Sequence, residues 1–167
     1  RGFLRQMYQS YCDHDESGLL VAEEDGKALG FLAFSSNFSG LYKFMIKTRL
    51  IQFGWYSVGA FFRKPSAFLH IIKAFLKPSE TRRKERYVEL ASIGVNPRSK
   101  SKGVGSKLIE ELKNRVDFKK YAYITLETDA TNNEAAIRFY EKNGFIKERK
   151  YITSEGREMF EYRYRKE

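Results

Sequence analysis

Ile93-Gly94-Val95-Asn96-Pro97-Arg98-Ser99-Lys100-Ser101-Lys102-Gly103-Val104-Gly105-Ser106-Lys107-Leu108 begins as a strand, passes through a Gly-rich turn and opens a helix. The first N–H groups of a helix have no partner inside it, and the helix dipole adds partial positive charge there. Lys100 to Ser106 therefore reads as a seat for an anion, with Gly103 and Gly105 letting a phosphate come close to the backbone. No Gly-Lys-Ser/Thr closes the loop as in a Walker site, and the spacing departs from the dinucleotide-binding fingerprint. Two glycines that merely make a turn would look the same, so the stretch needs company.

Outward from it, periodicity predicts strands over Tyr87–Val95 and Tyr121–Thr128, with an amphipathic helix over Gly103–Val116 between them. Thr131 followed by Glu134 fits a capping box for a helix that ends at Asn143-Gly144. Phe145–Ile152 and Arg157–Arg165 alternate as a hairpin around Ser154-Glu155-Gly156. Upstream, residues Arg1 to about Asp15 have helical spacing, and Leu19–Glu24 and Ala28–Ser35 flank Asp25-Gly26, a hairpin turn that needs positive φ. Helices are expected over Leu41–Phe53 and from Pro65 to Lys77. Helices alternating with strands ahead of a final hairpin predict one mixed α/β sheet.

The second informative stretch is Asn132-Asn133-Glu134-Ala135-Ala136-Ile137-Arg138-Phe139-Tyr140-Glu141-Lys142-Asn143-Gly144-Phe145. Together the two stretches resemble the GNAT superfamily of acetyl-CoA-dependent N-acetyltransferases. The family's phosphate loop, Arg/Gln-x-x-Gly-x-Gly/Ala, is met by Lys100-Ser-Lys-Gly103-Val-Gly105. Its later signature, Asn-x-x-Ala-x-x-x-Tyr-Glu-Lys-x-Gly-Phe, is met at every fixed position from Asn133 to Phe145. Lys100 stands where Arg or Gln is usual, no strand is found before the opening helix, and the segment ahead of Tyr87 is far longer than the family's usual link. A truncated or a replaced first strand would each account for the second departure.

The resemblance implies a mixed, mostly antiparallel sheet flanked by helices, with a V-shaped splay between the family's fourth and fifth strands. Acetyl-CoA would lie in that splay as cosubstrate, with no metal, and a primary amine would attack the thioester directly in a ternary complex. It also implies roles. The main chain of Ile93 and Val95 would pair with the pantetheine amides, and the N–H groups of Lys100, Ser101, Lys102, Gly103, Val104, Gly105 and Ser106 would hold the pyrophosphate. Asn133 would bond the pantetheine arm, Tyr140 would protonate the leaving thiolate, and Glu89, with Glu127 as an alternative, would be the general base. Each has a plainer reading: Asn133 as a helix-start residue, Tyr140 as a core aromatic, Glu89 as a solvent-facing strand residue. His14 and His70 read as surface or packing residues.

At 167 residues, with 42% hydrophobic and 31% charged side chains, the chain reads as a single soluble domain over 1–167. It has no apolar run of about 18 residues and no signal-peptide pattern, which argues against a spanning helix and secretion. One cysteine and two histidines offer neither a disulfide nor a metal cluster and fit a reducing cytoplasm, as in bacterial members.

The net charge of +10 is unevenly distributed. Between Ser36 and Arg86 eleven Lys/Arg face two acids, leaving 20 basic and 19 acidic residues for the rest. This insertion also carries ten aromatics. It reads as a helical cap on the acceptor site, as a seat for an anionic acceptor, or as a peripheral contact with an anionic membrane. A similar insertion in GNAT proteins of bacterial polysaccharide biosynthesis favours an amino-sugar or glycan-precursor acceptor. The alternatives are a protein N-terminal acetyltransferase and a non-catalytic module binding membrane or nucleic acid; intact CoA motifs argue against the latter. A homodimer stays open.

Overall fold

The computed structural model describes residues 2–48, 85–99 and 103–166. Four helices and six strands follow in order: α1 (Gly2–Asp13), β1 (Ser17–Glu24), β2 (Lys27–Ser35), α2 (residues 38–48), β3 (Tyr87–Val95), α3 (Val104–Arg115), β4 (Tyr123–Asp129), α4 (Glu134–Lys142), β5 (Ile146–Ile152) and β6 (Glu158–Tyr164). The expected helix from Pro65 to Lys77 and the aromatic link before it lie outside the described residues, as does the far end of the helix expected over Leu41–Phe53.

The strands form one sheet in the order β1-β2-β3-β4-β6-β5. β3 and β4 run parallel, whereas β2–β3, β4–β6 and β5–β6 are antiparallel. The mixed sheet is thus the expected one. Asp25 and Gly26 both take positive φ, 51° and 71°, as a two-residue hairpin turn demands.

By contacts the chain divides into two compact units. One joins Arg1–Leu19 to Asn37–Lys84, and the other joins Leu20–Ser36 to Glu85–Glu167. In the first, Tyr11 of α1 meets Phe38 edge-on at 6.4 Å, and Asn37 donates to Glu16 at 2.7 Å. His14 turns its ring edge to Phe44 at 5.6 Å and shares a 3.0 Å hydrogen bond with Ser17, the packing role expected of it. In the second unit, β4 is one of the two middle strands, and its Tyr123, Ile124, Thr125 and Leu126 are all buried, so both its faces are covered. Leu108, Ile109 and Leu112 of α3 close over Leu32, Val88, Leu90 and Ile124 to make the core. Among the described residues no helix is long and apolar enough to cross a membrane.

Candidate active site

β3 and β4 are paired over only three registers, Tyr87 with Tyr123, Val88 with Ile124 and Glu89 with Thr125. Six further residues of β3, Leu90 to Val95, carry no ladder to β4. Pairing with β2 slips by one residue where Ala33 faces Ser92 but Phe34 faces Leu90, so Ala91 is the extra residue of a bulge. The bulge switches the alternation of side chains. Val88 and Leu90 pack into the core before it, and Ile93 and Val95 pack against the same core after it.

The main chain beyond the bulge follows from one hydrogen bond. Asn96 donates its N–H to the Leu29 carbonyl at 2.7 Å, which makes 29/96 a hydrogen-bonded pair. In an antiparallel ladder such pairs alternate with non-bonded ones. Gly30/Val95 and Leu32/Ile93 are therefore non-bonded, and the N–H and C=O groups of Ile93 and Val95 turn away from β2. They turn toward the side from which β4 has parted, leaving polar main chain with no ladder to fill it.

The start of α3 lies just past that edge. Gly103 takes φ 67° and ψ 16°, the left-handed region, and no side chain caps the helix. The first intrahelical bond recorded there runs from Lys107 N–H to Gly103 C=O at 3.0 Å, so the N–H groups of Val104, Gly105 and Ser106 have no intrahelical acceptor. Lys100, Ser101 and Lys102 lie outside the described residues. The two glycines also do different work in the fold. Gly103 supplies the left-handed turn, whereas Gly105 makes room for a neighbour: a Cβ there would stand 3.0 Å from Phe139 Cζ.

Tyr140 is held by the way α4 stops. Gly144 at φ 79° donates to the Glu141 carbonyl at 2.9 Å, and Phe145 N–H donates to the Tyr140 carbonyl at 3.1 Å. These are the paired bonds of a Schellman motif, and its customary apolar contact is present, since Phe145 meets the Tyr140 ring at 6.1 Å. Phe139 and Tyr162 close further sides of that ring at 5.4 and 6.3 Å. Tyr140 is 9% exposed, and burial pushes its phenol above the usual range, so it stays protonated at neutral pH. Among the described residues no hydrogen bond engages its hydroxyl.

Asn133, not Thr131, is the N-cap of α4, so the expected capping box does not form. Asn132 takes the left-handed region at φ 54°, a conformation Asn tolerates, and this leaves Thr131 outside the helix start. The Asn133 side chain makes no cap bond; its Nδ2 donates to Thr128 Oγ1 at 2.6 Å and to the Asp129 carbonyl at 3.1 Å. That ties the end of β4 to the start of α4.

Glu89 is half-buried and sits at the last paired register, between Ser35 and Thr125, where the parting begins. Its neighbours Val88 and Leu90 point into the core that also holds Tyr140, so alternation sends Glu89 to the opposite face of the sheet. Tyr140 thus belongs to the core on one face of the sheet, and Glu89 lies on the other.

The sequence profile of the acetyltransferase (GNAT) family matches residues 1–145. The chain belongs to the GNAT acetyltransferase family. Solved structures similar to it include a Bacillus anthracis protein described as a streptothricin acetyltransferase, in complex with acetyl coenzyme A. It has TM-score 0.61 at 18% identity, over 96% of this chain and 68% of that one. A GNAT-family acetyltransferase from Desulfovibrio desulfuricans has TM-score 0.59 at 17% identity, over 94% and 74%. A ribosomal-protein-alanine N-acetyltransferase from Brucella melitensis has TM-score 0.60 at 16% identity, over 98% and 77%. At these identities the likeness is one of fold. No protein of curated function matches the chain by sequence.

Within this GNAT fold, one polar network was missed by sequence reasoning. Thr125, Glu127, Glu161 and Arg163 share the Glu89 face of the sheet, by the registers Glu89/Thr125, Thr125/Arg163 and Glu127/Glu161. Glu161 is wholly buried, with Arg149 Nε 2.6 Å from Oε2 and Arg163 Nε 2.9 Å from Oε1. The Arg149 guanidinium lies over the Tyr151 ring at 4.8 Å, and the Tyr151 phenol donates to Glu127 Oε2 at 2.5 Å. The signal was there in the two-residue spacings Arg149/Tyr151 and Glu161/Arg163, which put each pair on one face of its strand.

Proposed function

We propose that the chain transfers the acetyl group of acetyl-CoA to a primary amine by direct attack in a ternary complex. One observation carries this reading: the unladdered edge of β3 at Ile93 and Val95, with Tyr140 in the core on one face of the sheet and Glu89 on the other face. An amide-bearing arm can complete such an edge as a strand would. The uncapped start of α3 suits the pyrophosphate at its end, with Gly103, Val104, Gly105 and Ser106 as donors and Lys100 to Lys102 leading into them. Asn133 Nδ2 is spent on the β4 terminus, which leaves its carbonyl oxygen to accept from a pantetheine amide.

The amine arrives from the Glu89 face. An ammonium gives one proton to the Glu89 carboxylate, directly or through water, and the freed lone pair attacks the thioester carbon. A main-chain N–H of β3 steadies the charge that grows on the carbonyl oxygen. The C–S bond then breaks, and the leaving sulfur takes the Tyr140 proton from the opposite face. Burial keeps that phenol protonated, and the same dry surroundings disfavour a naked thiolate.

The acceptor is an amino sugar or a glycan precursor, water-soluble or lipid-linked, taken up by the basic insertion of residues 36–86 within one acetyltransferase domain spanning 1–167. The eleven Lys/Arg of that segment support an anionic partner, either the acceptor's phosphates or a membrane surface met from the cytoplasm. The test is release of CoA thiol from acetyl-CoA across nucleotide-linked amino sugars, free amino sugars, polyamines, aminoglycosides and peptide N-termini, with and without anionic liposomes. Release with amino sugars supports the proposal, and release with peptides alone moves it to protein N-termini. Acetyl-CoA binding absent altogether overturns it. Lys73→Glu with Lys77→Glu should weaken liposome sedimentation; unchanged sedimentation removes the membrane contact.

A further inference from the structure

Gly105 is the second residue of α3 and is buried. The family pattern admits Gly or Ala at this place, so a small side chain there is compatible with an anion at the helix start. What this chain cannot fit is the volume next to it. A Cβ on Gly105 would stand 3.0 Å from Cζ and 3.1 Å from Cε2 of Phe139, with Val95 Cγ2 at 3.6 Å on another side. The main chain of Phe139 is tied at the end of α4. Its carbonyl accepts from both the main-chain N–H of Asn143, at 3.2 Å, and Asn143 Nδ2, at 2.7 Å. Its ring leans on that of Tyr140, the next residue, at 5.4 Å and 61°.

We infer that Phe139, seated on Gly105, is a positioning residue that sets where the Tyr140 phenol stands relative to the start of α3; this rests on the acetyl-transfer reading above. Through this contact the anion seat and the proton donor share one spacer. A methyl group at 105 displaces the Phe139 ring by a few tenths of an ångström, and α4 carries the displacement to Tyr140.

The test compares Gly105→Ala, Phe139→Leu and the double variant. Ala is a better helix former than Gly, so without the clash Gly105→Ala raises Tm. The contact predicts a reversal: Gly105→Ala lowers Tm beside Phe139 and raises it in the Phe139→Leu background. A rise in both backgrounds overturns the inference.

In acetyl transfer, Gly105→Ala should lower kcat by about 3- to 10-fold, in keeping with the steep dependence of rate on placement. Acetyl-CoA Kd should stay within about 2-fold, and kcat should return in the double variant to that of Phe139→Leu alone. Weaker acetyl-CoA binding at unchanged kcat would mean that the added methyl group acts on the phosphate and not through Phe139, and overturns the inference. Should the unaltered chain transfer no acetyl group, the reading of the site fails separately. The Tyr140 ring resonance, assigned with Tyr140→Phe, then decides: it shifts in Gly105→Ala and recovers in the double variant, or it does not move and the spacer is refuted.

Discussion

The phenol of Tyr151 donates to Glu127 Oε2 at 2.5 Å, across from β5 to β4. Glu127 lies two residues beyond the last register that pairs β4 with β3, while Glu89 occupies the register at which the parallel strands part. Of the two carboxylates, Glu89 is expected to be the base. Glu89→Gln should lower kcat by about 100-fold and remove the acidic limb of the pH–rate profile, within the range usual for loss of a general base. Glu127→Gln should cost less than about 5-fold by the same scale. The reverse order of losses, measured by thiol release, would hand the role to Glu127.

Tyr140→Phe keeps the ring that Phe139, Phe145 and Tyr162 enclose and deletes only the hydroxyl. Turnover should fall by about 100-fold, as for removal of a general acid, with acetyl-CoA affinity changed by less than about 2-fold. Equal losses in turnover and binding would show that Tyr140 packs rather than donates.

Alkaline unfolding offers a second view of the same core. Burial first, and then the Glu141 carboxylate that its hydroxyl meets at 3.0 Å, push the Tyr162 phenol up to about 12. Burial raises Tyr140 as well. A raised phenol contributes stability that is fully present below the unfolded-state value, ordinarily about 10, and lost as pH rises through the folded value. Urea midpoints should therefore fall between about pH 10 and pH 12. Tyr162→Phe should flatten that fall; an unchanged slope would assign it to other groups.

Glu161 carries the largest expected stability penalty. Its charge is buried between Arg149 and Arg163, and Glu161→Gln leaves both guanidiniums with an uncharged partner. Loss of one partner from a buried ion pair costs about 3 kcal/mol. A urea titration showing less than about 1 kcal/mol would mean that water or Glu148, 2.8 Å from Arg163, takes over the pairing.

Much of this arrangement was legible because the decisive signals are local. Asp25-Gly26 named its turn type, Asn143-Gly144 named the stop of α4, and the apolar run of β3 was found with its bounds, Tyr87–Val95. The capping box failed because a left-handed Asn132 shifts the chain, and no pattern at Thr131 and Glu134 reports what their neighbour does. Glu161 was passed over because a carboxylate in a β-hairpin is ordinarily wet. Its burial depends on two arginines, one of them on another strand. The bulge was half visible: apolar residues at 88, 90, 93 and 95 break the period of two between 90 and 93. Which residue is extra depends on cross-strand pairing, which only the folded sheet supplies.

Ala91 gives β3 something like a reading frame. Upstream of it Leu90 faces Phe34 and downstream Ser92 faces Ala33, so one residue of β3 goes uncounted against β2. Deleting Ala91 would restore regular pleating and leave the pairing with β2 as it is, Leu90 opposite Phe34 and Ser92 opposite Ala33. Ile93 and Val95 would keep their places opposite Leu32 and Gly30, and the apolar residues 88, 90, 93 and 95 would alternate without a break. The bulge is thus dispensable to the pairing with β2, and what the extra residue adds to β3 is a local bend and a stronger twist.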